Sequence, residues 1–441
     1  MQSFFSGLNF TMPILLIVGI VIIISFYIGR NMKYIKLPSL IGYMILGVIF
    51  GPSLFNLLNE SVQTSLSFIT EIALALVALT IGLELKLSSL KKLGNGITWI
   101  IFAESFGAFI LVFTAVFLYT KNMPLALVFA GIAPASAPAG TVAVIQEYRA
   151  KGPLTKSLYV IVGFDDGLGI IIFGFAAAIA RSILSNQTGA ETVNFFELIW
   201  PPLKEILISL AIGGGFSIII SLLVRKLENS SDILIILIGF IFISVGLSYI
   251  FHISIILTNM VVGMIIVNTQ GFSIVRKISD RLPVFMPFLF ILFFTLAGAN
   301  LHIKVLPSLG VLGILYIIAR SGGLIFGSKL GAYFGKASKN IRKYVGLGIL
   351  SQAGVAIGLA LIVKHDFKGL GTIIKGQEMT TGDYIGAVVI TTVTATCIFF
   401  EIIGPILTKY ALTKVGEIDR SKWLYEKKTL WLGELGIDWH L

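Results

Sequence analysis

The sequence predicts an all-α polytopic membrane protein of about thirteen transmembrane helices. Three observations lead there. Apolar runs of about 20 residues, long enough to cross a hydrocarbon core, recur along the whole 441-residue chain. Only 12% of the residues are charged and the mean hydropathy is +0.96, whereas a soluble domain carries about 25% charged residues. Finally, the segments between the runs alternate between rich and poor in Lys and Arg.

The runs lie near 11–29, 38–58, 66–85, 97–119, 123–147, 156–180, 198–224, 232–250, 252–270, 283–301, 305–334, 343–364 and 384–410. Only His252 and Ser254 divide the eighth from the ninth. The first starts near Thr11 with no basic leader and no small-residue cleavage site, so it reads as a retained helix rather than a signal peptide. Of the 33 Lys and Arg, 24 fall on one side if the count is right, including Arg30, Lys86, Arg149, Arg225, Arg276, Lys336 and the C-terminal tail. The other side holds 7, among them Lys121, Arg181 and Lys304. The positive-inside rule then puts the N-terminus outside and the C-terminus in the cytoplasm. A missed span would invert every later loop and blur that contrast. The net charge of +11 is accounted for by loops facing anionic lipid, and no nucleic-acid partner is expected. A single cysteine, Cys397, excludes an intrachain disulfide framework and a thiolate metal cluster.

Several spans contain helix breakers. The second holds Gly47-Val-Ile-Phe-Gly-Pro-Ser53, and the fifth holds Gly131-Ile-Ala-Pro-Ala-Ser-Ala-Pro-Ala-Gly140. Pro134 and Pro138 bracket Ser136, so no continuous helix is expected there. Non-helical backbone at membrane depth is tolerated only where protein or a water-filled cavity covers it. The twelfth span carries Gly346, Gly348 and Ser351-Gln-Ala-Gly-Val-Ala-Ile-Gly358. It follows the fifth by seven spans, and interrupted segments at matching places in two halves point to an inverted repeat with the substrate site between them.

The sixth span holds Gly163-Phe-Asp-Asp-Gly-Leu-Gly169. A charge at mid-bilayer costs from about 2.5 to more than 10 kcal/mol, so two adjacent carboxylates are a poor solution to a packing problem. Successive helical residues point about 100° apart, so Asp165 and Asp166 are expected to have different tasks. One faces the broken fifth span, where Ser136 and freed carbonyls offer oxygen ligands; the other faces a helix carrying a base. Arg320 lies deep in the eleventh span and, being always protonated, is expected to pair with Asp165 or Glu104. Lys329 is expected to snorkel to the cytoplasmic interface. Glu84 reads as interfacial and Glu71 as hydrated. Glu401 is open between a charge beside the site and one near the cytoplasmic opening. Desolvation favours the neutral form of a carboxyl and a nearby cation favours its charged form. A carboxyl poised between the two exchanges a proton for a metal cation.

These residues resemble the monovalent cation/proton antiporter superfamily, on its second-family (Kef/Nap-type) branch, over roughly 10–410. Leu37–Pro52 resembles the family's second span. Ala78–Leu85 and Phe293–Leu301 resemble its Gly-Leu-Glu segment and the counterpart in the other half. The Asp pair after a Pro-broken helix is the most specific match, and Gln352–Leu359 resembles the second broken helix. The resemblance implies a homodimer whose protomers have two domains. A six-helix core, spans near 97–180 and 305–410 with two discontinuous helices crossing, would move elevator-fashion against a dimerisation scaffold near 11–85 and 232–301, with 198–224 as linker. It also implies that Na⁺ or K⁺ and H⁺ compete at Asp166, with Asp165 in the partner role and Ser136 and Thr141 lending oxygens. Arg320 and Glu104 would be charge partners, and Ser351 and Gln352 would sit in the second break. No cofactor is expected beyond the transported ions. Two departures stand out: the lysine that electrogenic relatives place near Gly322 or Gly323 is absent and the only nearby base is Arg320, as in electroneutral relatives, yet Asp165 stands where those electroneutral relatives usually have asparagine. The Kef-type nucleotide-binding domain is not expected, because the chain ends soon after the last span.

Residues 411–441 read as a cytoplasmic amphipathic tail, with three of the five tryptophans, Trp423, Trp431 and Trp439. An interfacial anchor and a lid over the ion path are both open. The alternatives are weaker. An aspartyl protease needs its two carboxylates on different helices, an organic-anion/Na⁺ symporter of similar architecture would want hydroxyls and donors rather than a naked Asp pair, and a cation channel is the remaining alternative. The expectation is therefore a transporter, not an enzyme, in the plasma membrane, serving pH homeostasis.

Overall fold

The computed structural model describes residues 13–32, 34–88, 96–186, 195–225, 227, 229–251, 253–300, 310–373 and 379–418. Sixteen α-helices and one 3₁₀ turn are described. In chain order the α-helices are α1 (Ile14–Met32), α2 (Ser39–Phe50), α3 (Glu60–Ser65), α4 (Ser67–Glu84), α5 (Gly96–Thr120), α6 (Met123–Ile132), α7 (Pro138–Glu147) and α8 (Pro153–Asn186). Then come α9 (Phe195–Val224), α10 (Ser230–Phe251), α11 (Ile255–Thr269), α12 (Phe272–Ala299), α13 (Gly310–Phe334), α14 (Lys339–Tyr344), the 3₁₀ turn Val345–Gly348, α15 (Gly354–Asp366) and α16 (Thr381–Val415).

Among the described residues, eight helices are long and apolar enough to cross a membrane, or nine if α12, bent by 44° between Ser279 and Val284, counts as one span. Helices α2, α6 and α11 are apolar but shorter. Length and composition alone thus give fewer spans than the thirteen expected, for local reasons. Helix α2 stops at Phe50 because Gly51 turns extended ahead of Pro52. The expected fifth span is two ten-residue helices, α6 and α7, separated at 133–137. The expected twelfth is a short helix, a 3₁₀ turn and then α15. The eighth and ninth are separate helices, and the Ser254 side chain caps the second by accepting from Leu257 N.

The chain divides into two units. The first comprises Met1–Leu83 and Leu207–Gly310. Its helices meet where side chains are small. Gly47 and Gly298 let α2 and α12 touch backbone to backbone, and Gly82 and Gly263 do the same for α4 and α11. With lipid as apolar as Leu, such close approach and interhelical hydrogen bonds hold membrane helices together. Ser25 Oγ and Thr295 Oγ1 make one such bond at 2.9 Å, and Ser244 Oγ donates to Asn259 Oδ1 at 3.0 Å.

The second unit comprises Glu84–Ile206 and Val311–Leu441. Its organising contact is α5 against α13. Gly323, Gly327 and Gly331 recur every four residues and form one stripe down α13, which Gly335 continues one residue past its end. Against it lie Gly107, Ala103, Trp99 and Gly96 of α5; a Cβ on Gly327 would stand 2.8 Å from the Cα of Glu104. Gly327→Leu is therefore expected to part α5 from α13. Overpacking of this kind costs about 1–3 kcal/mol, and the check is a lower midpoint of thermal unfolding in detergent.

The two ends of the unit's long helices are tied together by Glu417, just past the left-handed Gly416 that ends α16. Its carboxylate accepts from Leu154 N at 2.8 Å and from Thr155 N and Thr155 Oγ1 at 2.7 Å. These are free first-turn groups of α8, so a residue more than 260 positions away caps the helix that carries the Asp pair. Gly152 leaves the room, since a Cβ there would strike that carboxyl. Glu417→Ala leaves the donors unpaired, at about 1–3 kcal/mol for a buried group. A fall in thermal stability that Glu417→Gln only partly restores is the expected result.

Candidate functional site

Asp165 is fully buried on α8. Ser136, in the break between α6 and α7, donates its hydroxyl to Asp165 Oδ2 at 2.8 Å. Pro134 and Pro138 produce that break: neither offers a backbone N–H, and α7 begins at Pro138, where the missing donor costs nothing. Glu104, fully buried on α5, comes within hydrogen-bonding reach of the Asp165 carboxyl. Its Oε1 accepts from Ser105 Oγ at 2.8 Å. The remaining oxygens, Asp165 Oδ1 and Glu104 Oε2, have no protein donor. An ionised carboxylate only accepts, so these two groups bond to each other only when one of them holds a proton.

Asp166 follows on the same helix; its side chain lies outside the described residues.

Arg320 departs from expectation. It is fully buried on α13, yet its guanidinium does not bond to Asp165 or Glu104. Nε donates to Ala133 O at 2.8 Å, Nη2 to Ala135 O at 3.0 Å and Nη1 to Leu350 O at 2.8 Å. Phe400 of α16 covers it, its ring centroid 4.4 Å from Cζ. Its direct hydrogen bonds thus go to backbone carbonyls, while Asp165 and Glu104 lie within its electrostatic reach. Each break strips carbonyls of their helical N–H partners, and a buried carbonyl needs a donor. The rigid five-donor fork of arginine serves both breaks at once.

The rest of the crossing follows the same logic. Gln352 Nε2 donates to Tyr316 Oη at 3.0 Å and reaches Ile132 O at 3.3 Å and Ala135 O at 3.4 Å. Ala137 N donates to Ser351 O at 2.8 Å, joining the two breaks directly. Thr141 Oγ1 donates to Gly348 O at 2.8 Å, tying α7 to the second break. Of the residues singled out in the sequence, Asp165, Ser136 and Glu104 come together as one cluster. Arg320, Gln352, Thr141, Pro134 and Pro138 build the frame beside it. The Ser351 side chain is buried without a partner.

Sequence reasoning missed Tyr316 and Phe400. Tyr316 lies one turn before Arg320, so the i, i+4 spacing was the available signal. Nothing in the sequence pointed to Phe400.

A family model described as sodium/hydrogen exchanger, transmembrane, matches residues 20–412. No curated protein matches the chain. Among solved structures, the chain is similar to the sodium proton antiporter MjNhaP1 from Methanocaldococcus jannaschii at pH 8, with TM-score 0.63 and 16% identity over 91% of this chain and 98% of that one. An electron-microscopy map of the same antiporter gives TM-score 0.61 and 16% identity over 97% and 99% of the two chains. At that identity the likeness concerns the fold.

Proposed function

The chain belongs to the sodium/hydrogen exchanger transmembrane family, a family of membrane transporters rather than enzymes, and on that premise we propose that it exchanges Na⁺ or K⁺ for H⁺ at Asp166. The observation that carries this reading is the buried Glu104–Asp165–Ser136 cluster, set against two broken helices whose carbonyls Arg320 already satisfies. The cluster holds its own proton and stays neutral or singly charged, while Asp166, one residue on, takes either a cation or a proton. Because both use one carboxylate, each leaves only when the other arrives, and exchange is obligatory. The permanent charge of Arg320 stays with the frame and does not move to Asp165.

The division into two units supports an elevator in which the unit holding α5–α8 and α13–α16 carries the ion against the other. Thirteen spans, with the N-terminus outside and the C-terminus in the cytoplasm of a plasma-membrane homodimer, complete the proposal; the charge asymmetry of the loops supports the orientation. The test is reconstitution in proteoliposomes with an internal pH dye, adding Na⁺, K⁺ and Li⁺ in turn. Proton movement driven by at least one of them is expected, and none with any of the three rejects the reading. An organic anion driving Na⁺ entry in the same vesicles would favour symport.

A further inference from the structure

Glu401 is among the intramembrane carboxyls that the mechanism above leaves unused. Glu401 lies on α16, and its Oε2 is buried without a hydrogen-bond partner. On a helix, positions three, four and seven residues on share a face, so Glu401 shares its face with Gly404, Pro405 and Thr408. That face is turned to the crossing. Gly404 packs against Ser351, a Cβ on Gly140 would stand 3.4 Å from Pro405, and Thr408 Oγ1 lies 3.4 Å from Gly348 O. One turn the other way, Cys397 Sγ lies 3.8 Å from Ala353 O. The face of α16 that carries Glu401 is therefore the one packed on the unwound stretch 351–353.

A second orphan lies in that stretch. Ser351 is 2% exposed and its hydroxyl has no partner. The hydroxyl rests against Gly404 and against Gly140, whose Cβ would lie 3.1 Å from it. Two buried oxygens with unmet hydrogen-bonding capacity thus belong to the two segments, α16 and the unwound stretch, that meet at this glycine-lined junction.

The charges around Glu401 do not meet the need. The elements packed against α16 carry Lys364, His365 and Asp366 on α15, Glu147 on α7, Lys156, Tyr159, Asp165, Asp166 and Arg181 on α8, and Lys339, Arg342, Lys343 and Tyr344 on α14. Among the described side chains none of these bonds to Glu401, and Cys397 is the titratable neighbour within its electrostatic reach. Arg320, behind Phe400, is committed to three carbonyls.

We propose that Glu401, with the Ser351 hydroxyl beside it, is a second proton-binding site of this unit, separate from the Glu104–Asp165 pair. A proton fits better than a metal cation. The junction's side chains offer one carboxyl and one hydroxyl, few oxygens with which to replace the hydration shell of Na⁺ or K⁺. The proton comes from water onto the carboxylate and returns to water, with no other bond made or broken.

The test is an infrared difference titration of the full-length protein in lipid, between acid and alkaline pH. A protonated-carboxyl C=O band should vanish on alkalinisation in the wild type. Its Glu401 component should be missing from Glu401→Gln and displaced in frequency, not lost, in Ser351→Ala. In proteoliposomes Glu401→Gln should keep cation-driven exchange with a shallower pH profile, and Glu401→Asp should restore the steepness. Spectra and pH profiles superimposable on the wild type in Glu401→Gln overturn the proposal. If that variant does not accumulate, an unchanged carboxyl band in Ser351→Ala overturns it. The pH profile rests on the antiport reading but the infrared band does not, so failure of antiport and failure of this site are told apart.

Discussion

Asp166→Asn abolishes cation-driven proton movement, down to the leak of empty liposomes, while the protein still folds. The amide has nearly the shape of the carboxyl, so packing changes little. It carries no charge to offset a bound cation and takes up no proton near neutral pH, so both halves of the exchange fail together. Asp165→Asn gives the control. An amide there still accepts from Ser136 and can donate to Glu104, the two contacts the carboxyl makes, so exchange persists at a reduced rate. The measurement is the initial rate of internal pH change on adding Na⁺ or K⁺ to proteoliposomes carrying each variant at matched protein content. Full exchange in Asp166→Asn would remove this residue from the ion path. Loss in Asp165→Asn with survival in Asp166→Asn would invert the order of the pair.

Features of the fold and frame written in local chemistry were legible from the sequence. Pro134 and Pro138 announce a break by lacking N–H groups, and the chain does break there, at 133–137. The cost of charge in lipid singled out Asp165, Glu104 and Arg320, and all three are fully buried. Pairings between distant segments were not legible. Read from side chains alone, which are what a sequence displays, a guanidinium demands a carboxylate. The carbonyls that hold Arg320 come into being only when two helices unwind and cross, and no residue letter records them. Glu417 caps α8 across more than 260 residues, so the local cap signals that mark Ser338 and Thr380 were missing. The stripe Gly323–Gly327–Gly331–Gly335 was in plain view, but its meaning depends on which helix it faces. Its partner α5 brings Glu104 against it, so the spacing of those glycines helps set where the second carboxyl of the cluster stands.

Arg320→Ala is expected to have the larger effect on the protein itself. Removing the side chain orphans Ala133 O and Leu350 O and leaves Ala135 O with only the 3.4 Å contact from Gln352 Nε2, at about 1–3 kcal/mol for each buried group left without a donor. It also opens a void under Phe400, and large-to-small changes at buried sites add their own cavity cost. Against a total stability of about 5–15 kcal/mol for a typical domain, that sum is enough to prevent a folded protein from accumulating. Arg320→Lys separates the two things arginine supplies here. Lysine keeps the charge but offers three donors from a single point instead of a planar fork, so it can serve one break and not both. The expected outcome is a folded protein of lowered thermal stability whose exchange is slowed more than its cation affinity, since the Asp pair is intact but its frame is loose. Fluorescence-detected size exclusion with a thermal ramp reads the first effect, and the concentration dependence of exchange reads the second. Normal stability in Arg320→Ala would mean that water or another donor satisfies those carbonyls and that the arginine does not hold the crossing. A lysine variant that loses folding along with alanine would show that spanning both breaks, not carrying charge, is what this position requires.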